Sequence, residues 1–276
     1  MMSVTGRLPG ILVSVALFVV ALVFFFPMIW MVLSSFKTNA AIFSAPFALP
    51  ETLDLGRWAE AWEVGNLGAY AVNSTIVTVA SVGVILLLGA SAAYALSRFR
   101  FAGRGLVLSL FALGLILPLQ SYFIAQSTIF TFLGITDTRL ALIVPYAAMG
   151  LSLAIYLLKV YLDALPDELF EAARIDGASD ARLFAYLALP LLRPGLATVA
   201  IFSALAAWNE FLLALLYIQD DALKTIPTGL LAFSTRYVTD YSLLFSALSL
   251  VTIPMIVVYV AFNRQIVEGI TAGSVK

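Results

Sequence analysis

The sequence contains no cysteine and no histidine, and it has few charged residues. Without cysteine there is no disulfide and no thiol chemistry, and without histidine the commonest metal ligand and proton relay is missing. Charged side chains make up 11% of the chain, against about 25% in soluble globular proteins. The formal net charge is −1, so nothing points to nucleic acid as a partner. The composition therefore excludes an ordinary soluble domain.

Hydrophobic residues, in contrast, form 62% of the chain. A helix of about 20 apolar residues crosses the hydrocarbon core of a bilayer. Six stretches have this length and character: 11–33, 70–96, 106–126, 140–161, 195–217 and 242–262. They lack the period-two alternation of membrane barrel strands. The sequence predicts an all-α membrane protein with six transmembrane helices. The first stretch has no small-residue cleavage site, so we expect a retained span and not a signal peptide.

Lysine and arginine are distributed unevenly between the predicted loops. With a cytoplasmic N-terminus, the cytoplasmic segments hold 10 of them: Arg7, Arg98, Arg100, Arg104, Lys159, Arg174, Arg182, Arg193, Arg264 and Lys276. The external segments hold 5: Lys37, Arg57, Arg139, Lys224 and Arg236. Because positive residues concentrate on the cytoplasmic side, both termini are predicted to be cytoplasmic.

These spans divide the chain into three parts. Residues 1–69 form an N-terminal span with an extracytoplasmic segment, 70–263 form a core of five spans, and 264–276 form a cytoplasmic tail. In the external segment, Trp58 and Trp62 suit either an amphipathic helix on the outer interface or an ordinary loop with a short helix. Asn73, Ser74 and Thr75 lie inside the second span, where we expect them to bond to neighbouring helices.

The longest cytoplasmic loop, 162–194, contains the charged stretch ELFEAARIDGASD at 168–180. Pro166 suits the first turn of a helix, and Gly177 suits the left-handed residue that ends one. A helix is therefore predicted to end near Asp176. Ser179 can then cap a second helix that leads into the fifth span. The loop is predicted to be a helical hairpin.

One face of the first hairpin helix carries small side chains. Leu169, Ala172, Ala173 and Asp176 fall at helical spacing, and the alanines would let another surface approach closely. Glu168 and Glu171 flank this face and could pair with arginines across an interface. The alternative is a solvated connector in which alanine serves only helix propensity. The residues alone leave both interpretations open.

Four motifs resemble one family. Glu171-Ala172-Ala173, three residues, Gly177, nine residues and then Leu187-Ala188-Leu189-Pro190 resemble the E-A-A-x3-G-x9-I-x-L-P loop of ABC importer permeases, with Leu187 as the one departure. AAYALSRFRFAGR (92–104), WNEF (208–211) and GITAGSVK (269–276) resemble carbohydrate importer permeases of the maltose type. Within that type, the chain is most similar to the second of the two unlike membrane subunits.

The resemblance implies a permease subunit of an ATP-driven, binding-protein-dependent sugar importer in the cell membrane of a prokaryote. The hairpin would then be a coupling helix on an ATPase subunit, formed by Glu168, Leu169, Glu171, Ala172, Ala173, Asp176 and Gly177. The implied partners are a sister permease, two ATPase subunits or domains that bind ATP and Mg, an extracytoplasmic binding protein, and the sugar. The C-terminal tail is expected to contact the ATPase pair. The chain itself has no G-x-x-x-x-G-K-[ST] phosphate loop, so we expect no bound cofactor and no enzymatic activity.

Glu210 is the one acidic residue predicted within a span, where an ionised group should face protein or water. With Trp208 and Asn209 it combines hydrogen-bonding groups with an aromatic face, which suits a sugar. A hydrogen-bond network between helices is the alternative. Gln120 and Gln126, near Pro118, are further candidates for the substrate pathway.

Other functions remain to be weighed. A polyol or glycerol-phosphate could replace the sugar as cargo of the same machinery. A secondary transporter usually shows inverted repeats and several ion-coupling charges within the membrane, and here one acid and no repeat are visible. An intramembrane hydrolase would need a nucleophile–base pair, but there is no histidine and no Ser–Lys pair within one span.

Overall fold

The computed structural model describes residues 8–118, 121–234 and 239–272. Within this part of the chain the structure is helical, apart from one isolated β-bridge between Ser234 and Thr239. The helices are α1 (Leu8–Ser34), α2 (Asn39–Ser44), α3 (Gly56–Val64), α4 (Leu67–Arg98), α5 (Arg104–Ile116), α6 (Phe123–Phe132), α7 (Leu140–Asp163), α8 (Asp167–Ile175), α9 (Asp180–Arg182), a π-helical segment (Leu183–Ala188), α10 (Leu189–Leu191), α11 (Arg193–Trp208), α12 (Leu212–Tyr217), α13 (Ile226–Gly229) and α14 (Tyr241–Ala272).

Four helices are long and apolar enough to cross a membrane in the described residues: α1, α4, α7 and α14. They coincide with the predicted spans one, two, four and six. The side chains of α1 are mostly exposed, and Phe24 has 74% of its surface accessible. An apolar helix with such exposure is suited to lipid contact, since lipid chains replace water as its solvent.

The predicted third span is wrong as a single helix. One helix ends at Ile116 and the next begins at Phe123, and these helices have 13 and 10 residues. Leu117 is extended, with φ −65° and ψ 120°, because the ring of Pro118 disfavours helical backbone in the residue before it. At 1.5 Å per residue, the two helices are about 20 and 15 Å long, and each is shorter than the hydrocarbon core.

The predicted fifth span is also wrong as a single helix. Helix α11 ends at Trp208, and α12 begins at Leu212 after a three-residue break. At its other end, α11 meets the segment Asp180–Leu191 at an angle of 73°. If this bent pair counts as one crossing, length and composition give up to five spans in the described residues.

Contacts divide the chain into two compact units, one of residues up to Gly68 with Leu230–Met255 and one of Ala69–Gly229 with the residues from Ile256 onward. In the second unit, α7 is central and packs against α5, α11 and α12. Small residues permit close approach, since a Cβ on Gly89 would lie 2.9 Å from the Ala154 Cβ, and one on Gly114 would lie 2.5 Å from the Ser152 Oγ.

In the first unit, the segment after α1 is held by its own side chains. The indole of Trp58 donates to the Ser35 Oγ at 3.0 Å and stacks on Phe36. The Lys37 ammonium donates to the Pro46 carbonyl at 3.0 Å. Helix α3 is a short helix of 9 residues, and Trp62 is exposed on it.

The C-terminal motif lies only partly within the described residues. Residues 269–272 continue α14, and 273–276 lie outside them.

Candidate functional site

The first hairpin helix ends where the sequence predicts. Gly177 has φ +83°, the left-handed conformation that favours glycine. The Gly177 N–H donates to the Arg174 carbonyl at 3.0 Å, and the Ala178 N–H donates to the Ala173 carbonyl at 3.0 Å. These two bonds form a Schellman motif, which satisfies carbonyls that the helix end would leave unpaired. The end of α8 is therefore well defined.

The start of α8 differs slightly from the prediction. Pro166 is the residue before the first turn and not within it, with φ −55° and ψ 134°. Asp167 and Glu168 occupy the first turn, where carboxylates are favourable near the positive end of the helix dipole. The charges of the first turn therefore suit the start of the helix, and Pro166 makes no side-chain capping hydrogen bond there.

The two faces of α8 have different surroundings. Six of the predicted coupling residues are exposed: Glu168, Leu169, Glu171, Ala172, Asp176 and Gly177. Ala173, predicted on the same bare face, is half-buried and packs against the core of its own chain. Ala173 follows the buried Phe170 by three residues and so shares its face. Ile175, 86% exposed, belongs to the outer face and was not identified from sequence.

The second half of the hairpin begins at Ser179. Its backbone is extended, as the N-cap prediction requires, but its side chain makes no capping hydrogen bond. Arg174 on α8 instead reaches Asp180, at 3.5 Å between nitrogen and oxygen. Leu183 and Leu192 are buried with Phe170 in one cluster, so the hairpin packs on the helices beneath it.

Glu210 lies in the break between α11 and α12. Its carboxylate accepts from the backbone N–H groups of Leu213 at 2.9 Å and Ala214 at 3.2 Å. The hydroxyl of Tyr146 on α7 donates to the same carboxylate at 2.6 Å. The side chain thus caps the second helical segment and ties it to α7, and nothing in the sequence around Tyr146 marks it as the partner.

A cavity of ≈ 190 Å³ lies beside this break and is lined by Glu210, Tyr146, Ser203 and apolar residues of α4, α7 and α11. The other described pathway candidates do not line it. The Asn209 amide donates to the Leu205 carbonyl at 2.8 Å. The Gln126 Oε1 lies 3.0 Å from the hydroxyl of Tyr217. Trp208 is half-buried, and Gln120 lies outside the described residues.

Near the start of α4, Asn73 and Ser74 bond to the segment that leads into α13 and to Arg139 before α7, whereas the Thr75 hydroxyl donates to the Ala71 carbonyl of α4 itself. The Asn73 amide donates to the carbonyls of Ala222 at 2.8 Å and Lys224 at 3.0 Å, and its oxygen accepts from Arg139 at 2.8 Å. The Ser74 Oγ accepts from the backbone N–H of Ile226 at 2.9 Å. Ile226 is the first residue of α13 and Arg139 directly precedes α7, so Asn73 and Ser74 make the expected bonds at the ends of neighbouring helices, and Thr75 bonds within its own helix. Nearby, a hydrogen bond to Asp221 raises the pKa of Lys224.

Comparison with known proteins supplies the family. The model of the binding-protein-dependent transport system inner membrane component matches residues 85–271. A diacetylchitobiose uptake system permease protein of Streptomyces coelicolor is 38% identical over 255 residues, which cover 91% of this chain and 83% of that protein. A trehalose/maltose transport system permease protein of Thermococcus litoralis is 33% identical over 98% of each chain.

A solved structure shares the fold. A chain in the crystal structure of a bacterial ABC transporter for import of the acidic polysaccharide alginate aligns with a TM-score of 0.82 at 23% identity, covering 96% of this chain and 98% of that one. The two relatives at 38% and 33% identity confirm the resemblance seen in the motifs along nearly the whole length. The chain belongs to the family of binding-protein-dependent transport system inner membrane components, which are transport permeases and not a class of enzyme.

Proposed function

We propose that this chain is a membrane-spanning subunit of an ATP-driven sugar importer and moves solute only within a complex. Family membership establishes a transport role. The cargo is inferred from relatives whose names specify diacetylchitobiose and trehalose or maltose. The complex would contain a sister permease, two ATPase subunits that hold ATP and Mg, and an extracytoplasmic binding protein.

The observation that carries the coupling role is the division of α8 into two faces. Phe170 and Ala173 pack inward, whereas Glu168, Leu169 and Ala172 are exposed. A short helix anchored on one side and accessible on the other is suited to sit on a partner. The carboxylates would pair with cations of the ATPase, and the alanine would permit close contact.

Movement of the ATPase would reach the spans through the hairpin. The buried side chains of Phe170, Leu183 and Leu192 pack in one cluster with Tyr94 of α4 and Leu158 of α7. Because packed side chains move as a unit, displacement of α8 would shift the ends of α4, α7 and α11 together. Alternating access would follow from such a rigid-body shift.

Six crossings remain our proposal for the membrane topology, with the third and fifth interrupted. Helices α5 and α6 would form one crossing around Pro118, and α11 and α12 another around the break at Glu210. Interrupted helices are tolerated at membrane depth where protein or a water-filled cavity surrounds them. Transporters commonly place substrate at such breaks. Both termini would be cytoplasmic.

Glu210 is the strongest candidate for the substrate pathway, since it lines the cavity beside a break. A carboxylate held by three hydrogen bonds is pre-oriented and retains lone pairs for sugar hydroxyls. Trp208 at the end of α11, Asn209 in the break, and Gln120 and Gln126 near Pro118 would contribute along the same route.

Reconstitution tests the function. The four kinds of subunit should be assembled in proteoliposomes with the sugar that copurifies with the binding protein. We expect uptake only with ATP inside and with every subunit present. Uptake by this chain alone, driven by an ion gradient, would contradict the proposal and favour a secondary transporter.

A further inference from the structure

Arg98, the last residue of α4, is an almost fully buried cation. Only 7% of its side chain is exposed, although it lies at the end of a helix. A buried charge is costly unless partners satisfy it. The groups around the Arg98 guanidinium therefore identify the part of the chain that it binds.

The guanidinium binds the linker between α7 and α8. One terminal nitrogen donates to the carbonyl of Leu162 at 2.5 Å and to that of Leu165 at 3.3 Å. The other donates to the carboxylate of Asp167, the first residue of α8. Its central carbon lies 3.8 Å from the ring centroid of Phe170, the buried residue of α8. One side chain thus contacts the end of α7 and the start of α8.

The neighbouring residue makes a second contact to the same region. The hydroxyl of Ser97 donates to the Asp163 carboxylate at 2.6 Å, and Asp163 is the last residue of α7. Lys159, one turn earlier on α7, pairs with the other oxygen of Asp163. Consecutive residues of α4 therefore bind both sides of the linker.

We propose that Arg98 is a positioning residue that sets the orientation of α8 relative to the spans. The inference rests on the proposed function of α8 as the coupling helix. The Asp167 side chain is 81% exposed, so water screens that ion pair. The carbonyls and the Phe170 ring carry more of the interaction. A planar fork that donates to several acceptors while stacking on a ring is specific to arginine and is not reproduced by lysine.

The test is Arg98→Lys, with Arg100→Lys as its matched control. Both substitutions keep the positive charge that sets the orientation in the membrane. Arg100 is exposed in the loop that follows Arg98. The chain has no cysteine, so spin labels at Ser91→Cys on α4 and Ile175→Cys on α8 would be specific. Distances between the labels and sugar transported per ATP should be measured on the reconstituted complex.

We expect Arg98→Lys to broaden the label distances and to lower transport per ATP about tenfold, the factor for roughly 1.4 kcal/mol, which is the scale of one net hydrogen bond. Arg100→Lys should match the parent protein. Asp167→Asn should give a smaller broadening and serves if Arg98→Lys fails to assemble. Unchanged label distances in both Arg98→Lys and Asp167→Asn would overturn the proposal.

Gly177→Val separates this inference from the proposed function. If Gly177→Val reduces transport per ATP while Arg98→Lys changes neither transport per ATP nor the label distances, the coupling role stands and the positioning role is wrong. If the distances broaden but neither variant changes transport per ATP, Arg98 positions α8 and the coupling role is wrong.

Discussion

At the residue scale, Gly177 is required by its backbone and not by lack of space. Its φ is +83°, and a Cβ built there would meet no atom within 4 Å. A β-branched residue would be strained in this conformation by about 1–3 kcal/mol. The strain would act on the end of α8 and on the two hydrogen bonds that close it.

We therefore expect Gly177→Val to lower transport per ATP while membrane insertion persists. Gly103→Val is the matched control, because Gly103 has φ +87°, the same open surroundings and a place in another loop. Transport and ATP hydrolysis by the reconstituted complex are the measurements. Equal losses in both variants would mean that strain alone, and not the hairpin, matters.

Glu210 and Tyr146 allow stability to be separated from substrate contact. Glu210→Gln replaces one accepting oxygen with a donor that faces other donors, so we expect a loss of about 1.5–3 kcal/mol in stability. Tyr146→Phe removes one bond and leaves the two backbone donors to Glu210, so its loss should be smaller. Thermal unfolding of the complex measures both.

The same variants test the pathway proposal. Glu210→Gln should weaken the apparent affinity for sugar roughly 10- to 150-fold if its charged oxygens contact substrate. Tyr146→Phe should weaken it less, because the ring stays at the cavity wall and the two backbone donors still orient Glu210. Destabilisation by Glu210→Gln with normal sugar dependence would assign this carboxylate to helix capping alone.

At the scale of elements, α8 presents neighbouring alanines to different environments. Ala172 is exposed, and Ala173 packs on the core. We expect Ala172→Arg to weaken ATPase binding with normal stability of the permease. Ala173→Arg should reduce stability as well, because a charge would be forced against apolar side chains. Copurification of the ATPase and thermal unfolding distinguish the two. Normal ATPase binding by Ala172→Arg would contradict the docking face.

Helix α4 contains a second matched pair. A side chain at Gly89 would collide with Ala154 of α7, whereas one at Gly83 would meet nothing within 4 Å. We expect Gly89→Val to destabilise the complex by about 1–3 kcal/mol through overpacking, and Gly83→Val to have little effect. Thermal unfolding is the measurement, and equal stability of the two would rule out close packing of α4 on α7.

At the scale of the whole molecule, the orientation in the membrane is predicted from the distribution of lysine and arginine between the loops. Ser179 in the hairpin and Thr52 in the segment after α1 are both exposed, and the chain has no cysteine. With single cysteines at these positions, we expect only Thr52→Cys to react with an impermeant thiol reagent in intact cells. Both sites should react in opened vesicles. Labelling of Ser179→Cys in intact cells would reverse the orientation.

Local signals in the sequence were sufficient for the long helices. Continuous apolar runs identify α1, α4, α7 and α14, although α14 continues ten residues beyond the predicted span to Ala272, and the end of α8 follows from Gly177. The prediction of a continuous third span was wrong because Pro118 lies within it and biases Leu117 to extended backbone. The break after Trp208 has no such local signal in the residues of α11.

The sequence itself determined the composition, the four uninterrupted spans, the hairpin with its capped helix and the family motifs, because each depends on residues close together in the chain. Only the tertiary structure decided which face of α8 is exposed, what the carboxylate of Glu210 binds and where Arg98 is buried. Tyr146 is 64 residues from Glu210, and Asp167 is 69 residues from Arg98. Helix packing brings such partners together, so no local sequence pattern identifies them.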